Sequence, residues 1–398
     1  MATVGIAQDV YWIGVNDRTT DLFEGLWPIT REGVSYNAYL INDEKKAIID
    51  LAKAFKSDDF FTQIADIVPL DAVDYVVINH MEPDHTGVLR TLKRLSPDVT
   101  FVGTKKTREM LKNYYQIDGP FMEVGDGDRL SLGRSELSFY ATPFVHWPET
   151  MMTYYGQEGI LFSCDGFGGY GALRGAIFDD QCSDPAFYER EALRYYATIV
   201  AKYHLPVLKA IDKLGTLDIR IVAPSHGLIW RHNPGRIIEL YDKWSRYGKG
   251  ETEAGVTIVY GSMYGNTEAV MQAVGQGISS QGVPVDIFDA ARTHPAYILP
   301  SLWSKGGVIV GAPTYEGGLF PPVAHVIEMA IQKAVRKRKA AVFGSYGWSG
   351  GAIKQLKKTT EEAGWEILDE FEFPGGPSRE DLKRAEKLGV AFASKLKG

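Results

Sequence analysis

The chain has 398 residues, too many for one ordinary core, and its 45% apolar and 23% charged composition is that of a soluble globular protein. No apolar run approaches a bilayer span, and the opening MATVGIAQDVYW lacks the basic and apolar regions of a signal peptide, so no membrane role is expected and the expected compartment is the cytoplasm. The formal charge of −7 falls on residues 1–250, with 27 Lys and Arg against 34 Asp and Glu, while 251–398 balances at 16 and 16, which argues against nucleic acid as the main partner.

The first part opens with short strand candidates, DVYWIGV, DLFEGLW, GVSYNAYLI and KKAIIDL, separated by Asn, Asp and Gly turns. FKSDDFFTQIADIV reads as a helix and leads to the strand DYVVINH. VTFVGT and KKTREMLKNYY form a second strand and helix, followed by the strands RLSLG, LSFYATPFV and GILFSCD. A long helical region is expected over 185–214, running up to IRIVAPSH. Strands in bulk with helices between them predict an α/β layered domain over 1–250. The polar RYGKGETEAG at 246–255 is the linker candidate. Beyond it, five strands alternate with helices over 251–398, which predicts a doubly wound parallel sheet.

The stretch INHMEPDHTG at 78–87 sets two histidines and two carboxylates at the end of an apolar run. Three further ligand types stand where a run breaks into a loop: His146 in FVHW, Asp165 after ILFSC, and His226 after IVAPS. A lone histidine there is most often half-buried structure, but His80, Glu82, Asp84, His85, His146, Asp165 and His226 share the placement. Extended backbone sends positions 80, 82 and 84 to one side, and a turn after Pro83 would aim His85 at a second point. Four imidazoles and three carboxylates suit two divalent metals, each with two histidines and a carboxylate and one carboxylate bridging, a set that favours non-haem iron. Cys164 and Cys182 cannot build a thiolate cluster and are expected as reduced structural thiols. GFGGYG at 166–171 fits a dinucleotide fingerprint but opens no convincing helix, and its glycines are expected to pass backbone close to the metals.

HxExDH at 80–85 with His146, Asp165 and His226 resembles the metallo-β-lactamase fold, whose hydrolases carry His where this chain has Glu82. A carboxylate there, and His146-Trp147 followed by Pro148-Glu149, resembles the flavodiiron proteins. The resemblance implies an αββα sandwich, one iron on His80, Glu82 and His146, a second on Asp84, His85 and His226, and Asp165 bridging them.

In the second part, VTIVYGSMYGNTEAV puts a Ser-, Gly- and Thr-rich loop before a helix, a phosphate-binding arrangement with Ser262, Met263, Tyr264, Gly265, Asn266 and Thr267. No lysine follows the glycine, so it is not the Walker loop. Two later loops follow strands: GAPTYEGG, with Pro313, Thr314, Tyr315, Glu316, Gly317 and Gly318, and GSYGWSGG, with Ser345, Tyr346, Gly347, Trp348, Ser349 and Gly350. The three-loop pattern resembles flavodoxin, with Tyr264 in place of its usual Ser or Thr, and implies flavin mononucleotide (FMN) with Trp348 against the ring.

The family resemblance spans essentially the whole chain. It implies electrons passing from a separate rubredoxin-type donor through FMN to the diiron site, for reduction of O2 to water, NO to N2O, or both. It also implies a head-to-tail homodimer or dimer of dimers. Two other readings remain open on the residues: a lactamase-like zinc hydrolase with a regulatory flavin module, and a flavin carrier with a scaffold domain. The basic run Lys333, Arg336, Lys337, Arg338 and Lys339 is read first as a solvated helix end and second as a dock for an acidic carrier.

Overall fold

The computed structural model describes residues 3–397. Backbone contacts divide the chain into two compact units, the first running to Tyr196 and resuming over Leu205–Asp242, the second taking Ala197–His204 and the chain from Lys243 onward.

The first unit contains a seven-stranded sheet of β1 (Val4–Ala7), β2 (Val10–Trp12), β3 (Tyr39–Asn42), β4 (Lys46–Ile49), β5 (Val73–Val77), β6 (Thr100–Gly103) and β7 (Phe121–Glu123), lying in that order. Pairing is antiparallel from β1 to β4 and parallel from β4 to β7. A parallel pair needs a crossover, and helix α1 (Ser57–Ala65) supplies it between β4 and β5. Phe60, Phe61 and Ile64 form its buried face, and Asp58 and Asp59 complement its N-terminal dipole. The second sheet has five strands, β8 (Arg129–Ser131), β9 (Glu136–Ala141), β10 (Met151–Tyr155), β11 (Ile160–Cys164) and β12 (Ile221–Pro224). Its last pair, β11 with β12, is parallel.

Every residue of β10 and β11 is buried, as in strands covered on both faces. The sheets are tied by Tyr39 on β3, whose hydroxyl donates to the Pro224 carbonyl at 2.7 Å, and by Thr153 on β10, whose hydroxyl donates to the Asn79 amide oxygen at 2.7 Å. The unit is the expected αββα sandwich. β10 is an addition to the sequence reading: MMTYY has neither alternation nor the branched aliphatic run that marks the equally buried β11, ILFSC. The helical region expected over 185–214 is present throughout, as α-helix at Pro185–Tyr195 and His204–Leu214 with a π turn at Tyr196–Val200 and a 3-10 turn at Ala201–Tyr203 between them. Pro206 fits only a first turn, so the helix must restart just before it.

In the second unit β13 (Glu253–Tyr260), β14 (Val285–Asp289), β15 (Lys305–Tyr315), β16 (Lys339–Tyr346) and β17 (Glu366–Pro374) pair in parallel in the order β14-β13-β15-β16-β17. This is the flavodoxin order, with its switch point between β13 and β15. Between and after the strands run α2 (Asn266–Ser280), α3 (Pro295–Ser304), α4 (Pro321–Gln332), α5 (Ala352–Glu362) and α6 (Arg379–Lys397). A Cβ on Gly277 of α2 would strike the Glu386 carbonyl of α6, and one on Gly389 would strike the Val274 carbonyl, so these helices touch backbone to backbone.

The basic run is largely absorbed by carbonyls. Arg338 is buried and donates to the Leu302 and Trp303 carbonyls at the end of α3, at 3.1 and 2.6 Å, and burial lowers its pKa to about 10. Lys337 and Arg336 donate to the Lys249 and Glu362 carbonyls at 3.1 and 3.2 Å. Arg338 is therefore neither a solvated helix end nor a docking residue, which corrects both readings at that position; Arg336 and Lys337 stay exposed.

Candidate metal centre and flavin cradle

β5 delivers the chain to Asn79, whose backbone and side-chain amides donate to the buried Asp50 carboxylate at 2.8 and 2.9 Å. That fixes the strand end from which His80 projects. Simple alternation would place His80, Glu82 and Asp84 together. Instead Glu82 is the extended N-cap of a short turn, Pro83–Thr86. Each helical residue advances about 100°, so Asp84 swings away to join His85. The Thr86 hydroxyl, donating to the Met81 and Glu82 carbonyls at 3.1 and 2.8 Å, tightens the turn.

Two clusters result. His80, Glu82, His146 and Asp165 converge in one, and Asp84, His85 and His226 in the other. In the first, the Glu82 carboxylate lies 3.3 Å from His80 Nε2 and 3.1 Å from His146 Nε2. In the second, Asp84 lies 3.5 Å from His85 Nε2 and 3.4 Å from His226 Nε2. Asp165 stands between them. Its Oδ2 faces His80 and His146 at 3.4 and 3.2 Å, and its Oδ1 faces His85 and His226 at 3.0 and 3.2 Å. All seven sequence-predicted residues are thus brought together, with Asp84 on the side opposite to that predicted by alternation.

These atoms fit a pair of cations. Ligand atoms about 2.1 Å from a shared ion lie roughly 3.0–3.4 Å apart, which matches the spacings above. Both Asp84 oxygens, Asp165 Oδ2 and His226 Nε2 are buried and find no hydrogen-bond partner among the described residues. Such atoms are costly in a protein interior unless a positive charge meets them. Cys164 is also within reach of His85 and Asp165, and burial pushes its thiol well up.

Burial disfavours charge on the histidines, yet the carboxylates prevail. Glu149 and Glu82 hold His80 well above its usual pKa, Asp165 and Glu82 raise His146 to about 9, and Asp165 and Asp84 raise His226 to about 10. Without metal, protons occupy the places that cations would take.

Sequence reasoning missed the supports of the ligands. Glu149, at the end of the quoted His-Trp-Pro-Glu, accepts from His80 Nδ1 at 2.7 Å and from the Met81 amide at 3.0 Å. His226 Nδ1 donates to the Ser35 carbonyl at 2.7 Å, turning Nε2 inward. Trp147 stands edge-on to His80 with ring centres 5.0 Å apart, and Phe23, Tyr36 and Tyr195 surround His226 with ring centres at 5.5, 5.8 and 5.5 Å. The glycines of 166–171 allow close backbone: the Gly169 amide donates to the His226 carbonyl at 3.3 Å, and a Cβ on Gly169 would press Ala192 at 2.8 Å.

The second unit holds a cavity of about 370 Å³ at the C-terminal ends of β13, β15 and β16. Ser262, Met263, Tyr264, Asn266, Thr267, Pro313, Thr314, Tyr315, Glu316, Ser345, Tyr346, Gly347 and Trp348 line it, joined by Gly375, which sequence reasoning missed. Gly265, Gly317, Gly318, Ser349 and Gly350 lie outside the lining. Gly265 acts through its backbone: at φ 89° it is the N-cap of α2 and offers no side-chain acceptor, so the first-turn amides are left for an anion. Thr267 and Ser345 hydroxyls meet at 3.0 Å and join the first loop to the third. Trp348 is 93% exposed and Tyr264 88%, bare aromatic faces suited to a flat ring. The residues present fit FMN: uncapped amides for its phosphate and aromatic walls for its ring.

Fold and sites together define a dinuclear-metal flavoprotein oxidoreductase. Residues 34–227 match the model of the ODP family beta lactamase and residues 258–389 that of flavodoxin. A nitric oxide reductase of Moorella thermoacetica is 33% identical over 99% of this chain and 98% of its own length. The solved rubredoxin oxygen:oxidoreductase of Desulfovibrio gigas matches with a TM-score of 0.94 at 28% identity, covering 99% of this chain and 98% of that one. The flavodiiron protein of Giardia intestinalis also matches at 0.94, with 29% identity over 100% of this chain and 97% of the other. The chain belongs to the flavodiiron protein family. That membership decides against the hydrolase and carrier-scaffold alternatives. Among the described residues no helix is long and apolar enough to cross a membrane.

Proposed function

We propose that this protein reduces O2 to water with four electrons and four protons, reduces two NO to N2O and water with two of each, or does both. In this reading residues 1–250 form the diiron domain and 251–398 the FMN domain. The observation that carries it is Asp165, which turns one carboxylate oxygen to each of two histidine–carboxylate clusters. His80, Glu82 and His146 would hold one iron, Asp84, His85 and His226 the other. The residues from Ser262 to Thr267 would receive the FMN phosphate, with Tyr315, Tyr346 and Trp348 around the ring. FMN, when bound, takes and gives electrons singly or in pairs, and paired irons bind and reduce a small diatomic.

The carboxylates offset metal charge, and the buried clusters keep bulk water from the reacting gas. A separate rubredoxin-type carrier is proposed as the donor, in line with the relative named rubredoxin oxygen:oxidoreductase. Anaerobic reduction of the loaded protein, then mixing with O2 and separately with NO, tests the reading. Consumption of at least one gas is expected, and a protein that reduces yet consumes neither contradicts it.

We also propose a head-to-tail dimer in which one subunit's flavin serves the partner's irons. Exposed aromatics at each site favour it: Tyr114 and Phe144 beside Trp147 in the first unit, Tyr264 and Trp348 in the second. Co-expressing a flavin-free variant with an iron-free variant should restore activity that neither shows alone. Failure of mixed dimers to regain any activity rejects the pairing.

A further inference from the structure

The four histidines are not supported alike. Glu149, whose side chain is fully buried, accepts from His80 Nδ1 at 2.7 Å, and its other oxygen has no hydrogen-bond partner among the described residues. Among the described residues, His226 Nδ1 is backed only by the neutral Ser35 carbonyl at 2.7 Å. His85 Nδ1 is buried and finds no hydrogen-bond partner among the described residues. Each cluster has one carboxylate of its own, Glu82 or Asp84, and a share of Asp165. Among the described residues the first alone has a further buried carboxylate hydrogen-bonded to one of its imidazoles; Asp50 is buried near His85, but its oxygens are taken by Asn79.

We infer that Glu149 is a positioning residue that makes the two metal positions unequal, so that the His80 position fills first and holds its ion more tightly. A carboxylate behind a ligating imidazole fixes the tautomer that points Nε2 at the metal and makes that nitrogen a stronger donor. The Met81 amide, donating to the same Glu149 oxygen at 3.0 Å, holds this carboxylate to the loop that carries Glu82. A buried negative charge of this kind needs a cation nearby, and the His80 position supplies one through the ring. His85, lacking any such anchor, leaves its position the weaker of the two.

This rests on the dinuclear reading of the site, and the test separates the two. FMN-loaded, iron-free protein is titrated anaerobically with 57Fe(II), followed by Mössbauer spectra at one and two equivalents and by chelator competition for the stepwise affinities. The wild type is expected to give one dominant doublet at one equivalent and a second, distinct one at two. Glu149→Gln is expected to lose roughly 10- to 100-fold in the first affinity, the usual effect of removing such a support. Both doublets should then grow together, and Glu149→Asp, which keeps the charge, should retain more of the order. Two equal doublets in the wild type at one equivalent would overturn the inference, as would a folded Glu149→Gln protein with unchanged order and affinities. Saturation at a single iron or none instead contradicts the dinuclear site itself. Should Glu149→Gln fail to fold, the wild-type spectra still decide.

Discussion

Replacing Asp165 with Asn tests how the two positions are joined. Asp165 is buried, and its oxygens stand 3.0–3.4 Å from four histidine Nε2 atoms. Asn is almost isosteric, so no cavity forms, but it offers one oxygen and one NH2. The oxygen can serve one cluster, and the other then faces a donor that repels a cation. Four-ligand structural metal sites bind with about 10–16 kcal/mol, so one ligand is worth roughly 3 kcal/mol, or about 100-fold in Kd. Asp165→Asn should therefore retain about one iron per chain after desalting, by mass spectrometry of the metal, with FMN absorbance unchanged. Consumption of NO and O2 should fall at least as steeply as the second iron. A variant that keeps two irons at wild-type affinity, or loses FMN and keeps its iron, refutes the bridging argument.

Trp348→Ala should weaken FMN binding about 2- to 10-fold, by loss of one aromatic contact, in a flavin fluorescence titration; an unchanged Kd would place the ring elsewhere. Gly277→Ala forces a methyl into the Glu386 carbonyl and should cost about 2 kcal/mol or more in denaturant unfolding, whereas an unshifted midpoint would mean α2 and α6 are not in backbone contact. Burial raises the Asp43 pKa, but bonds from Ser135, the Glu44 amide and Arg134 outweigh it and hold it at about 2, below the ordinary 3.8. Its contribution is thus present above about pH 4 and fades as pH falls through 2, so the stability deficit of Asp43→Asn should shrink over that range. Because Asp165 with Glu82 or Asp84 raises His146 to about 9 and His226 to about 10, iron uptake must displace protons there, so pH-stat titration at pH 7–8 should record proton release, and none recorded would contradict the buried carboxylate–imidazole pairs.

The ligand types were legible because each sits where an apolar run breaks, a signal local to the sequence. Alternation alone misplaces Asp84, because Pro83 replaces the two-residue period of a strand with a helical turn of only four residues; the family resemblance puts it with His85 and His226, where it lies. Glu149 carried a visible motif but no role, since its partner lies 69 positions away and pairs only once β10 is laid against the end of β5. β10 itself, MMTYY, has no period and, unlike the equally buried ILFSC of β11, no branched aliphatic run to read. The flavin loops were legible from their glycines and aromatics at strand ends, whereas Gly375 reads as an ordinary turn after Pro374 until β17 brings it beside Tyr346, to whose carbonyl its amide donates at 2.8 Å. The basic run looked like a surface feature because nothing local announces that Arg338 will cap α3.

Anomalous diffraction at the iron absorption edge, from crystals of the loaded protein, is the most direct measurement of the central claim. The account predicts two peaks flanking Asp165, one among His80, Glu82 and His146 and one among Asp84, His85 and His226. Peaks elsewhere, or fully iron-loaded crystals with none beside Asp165, would contradict it.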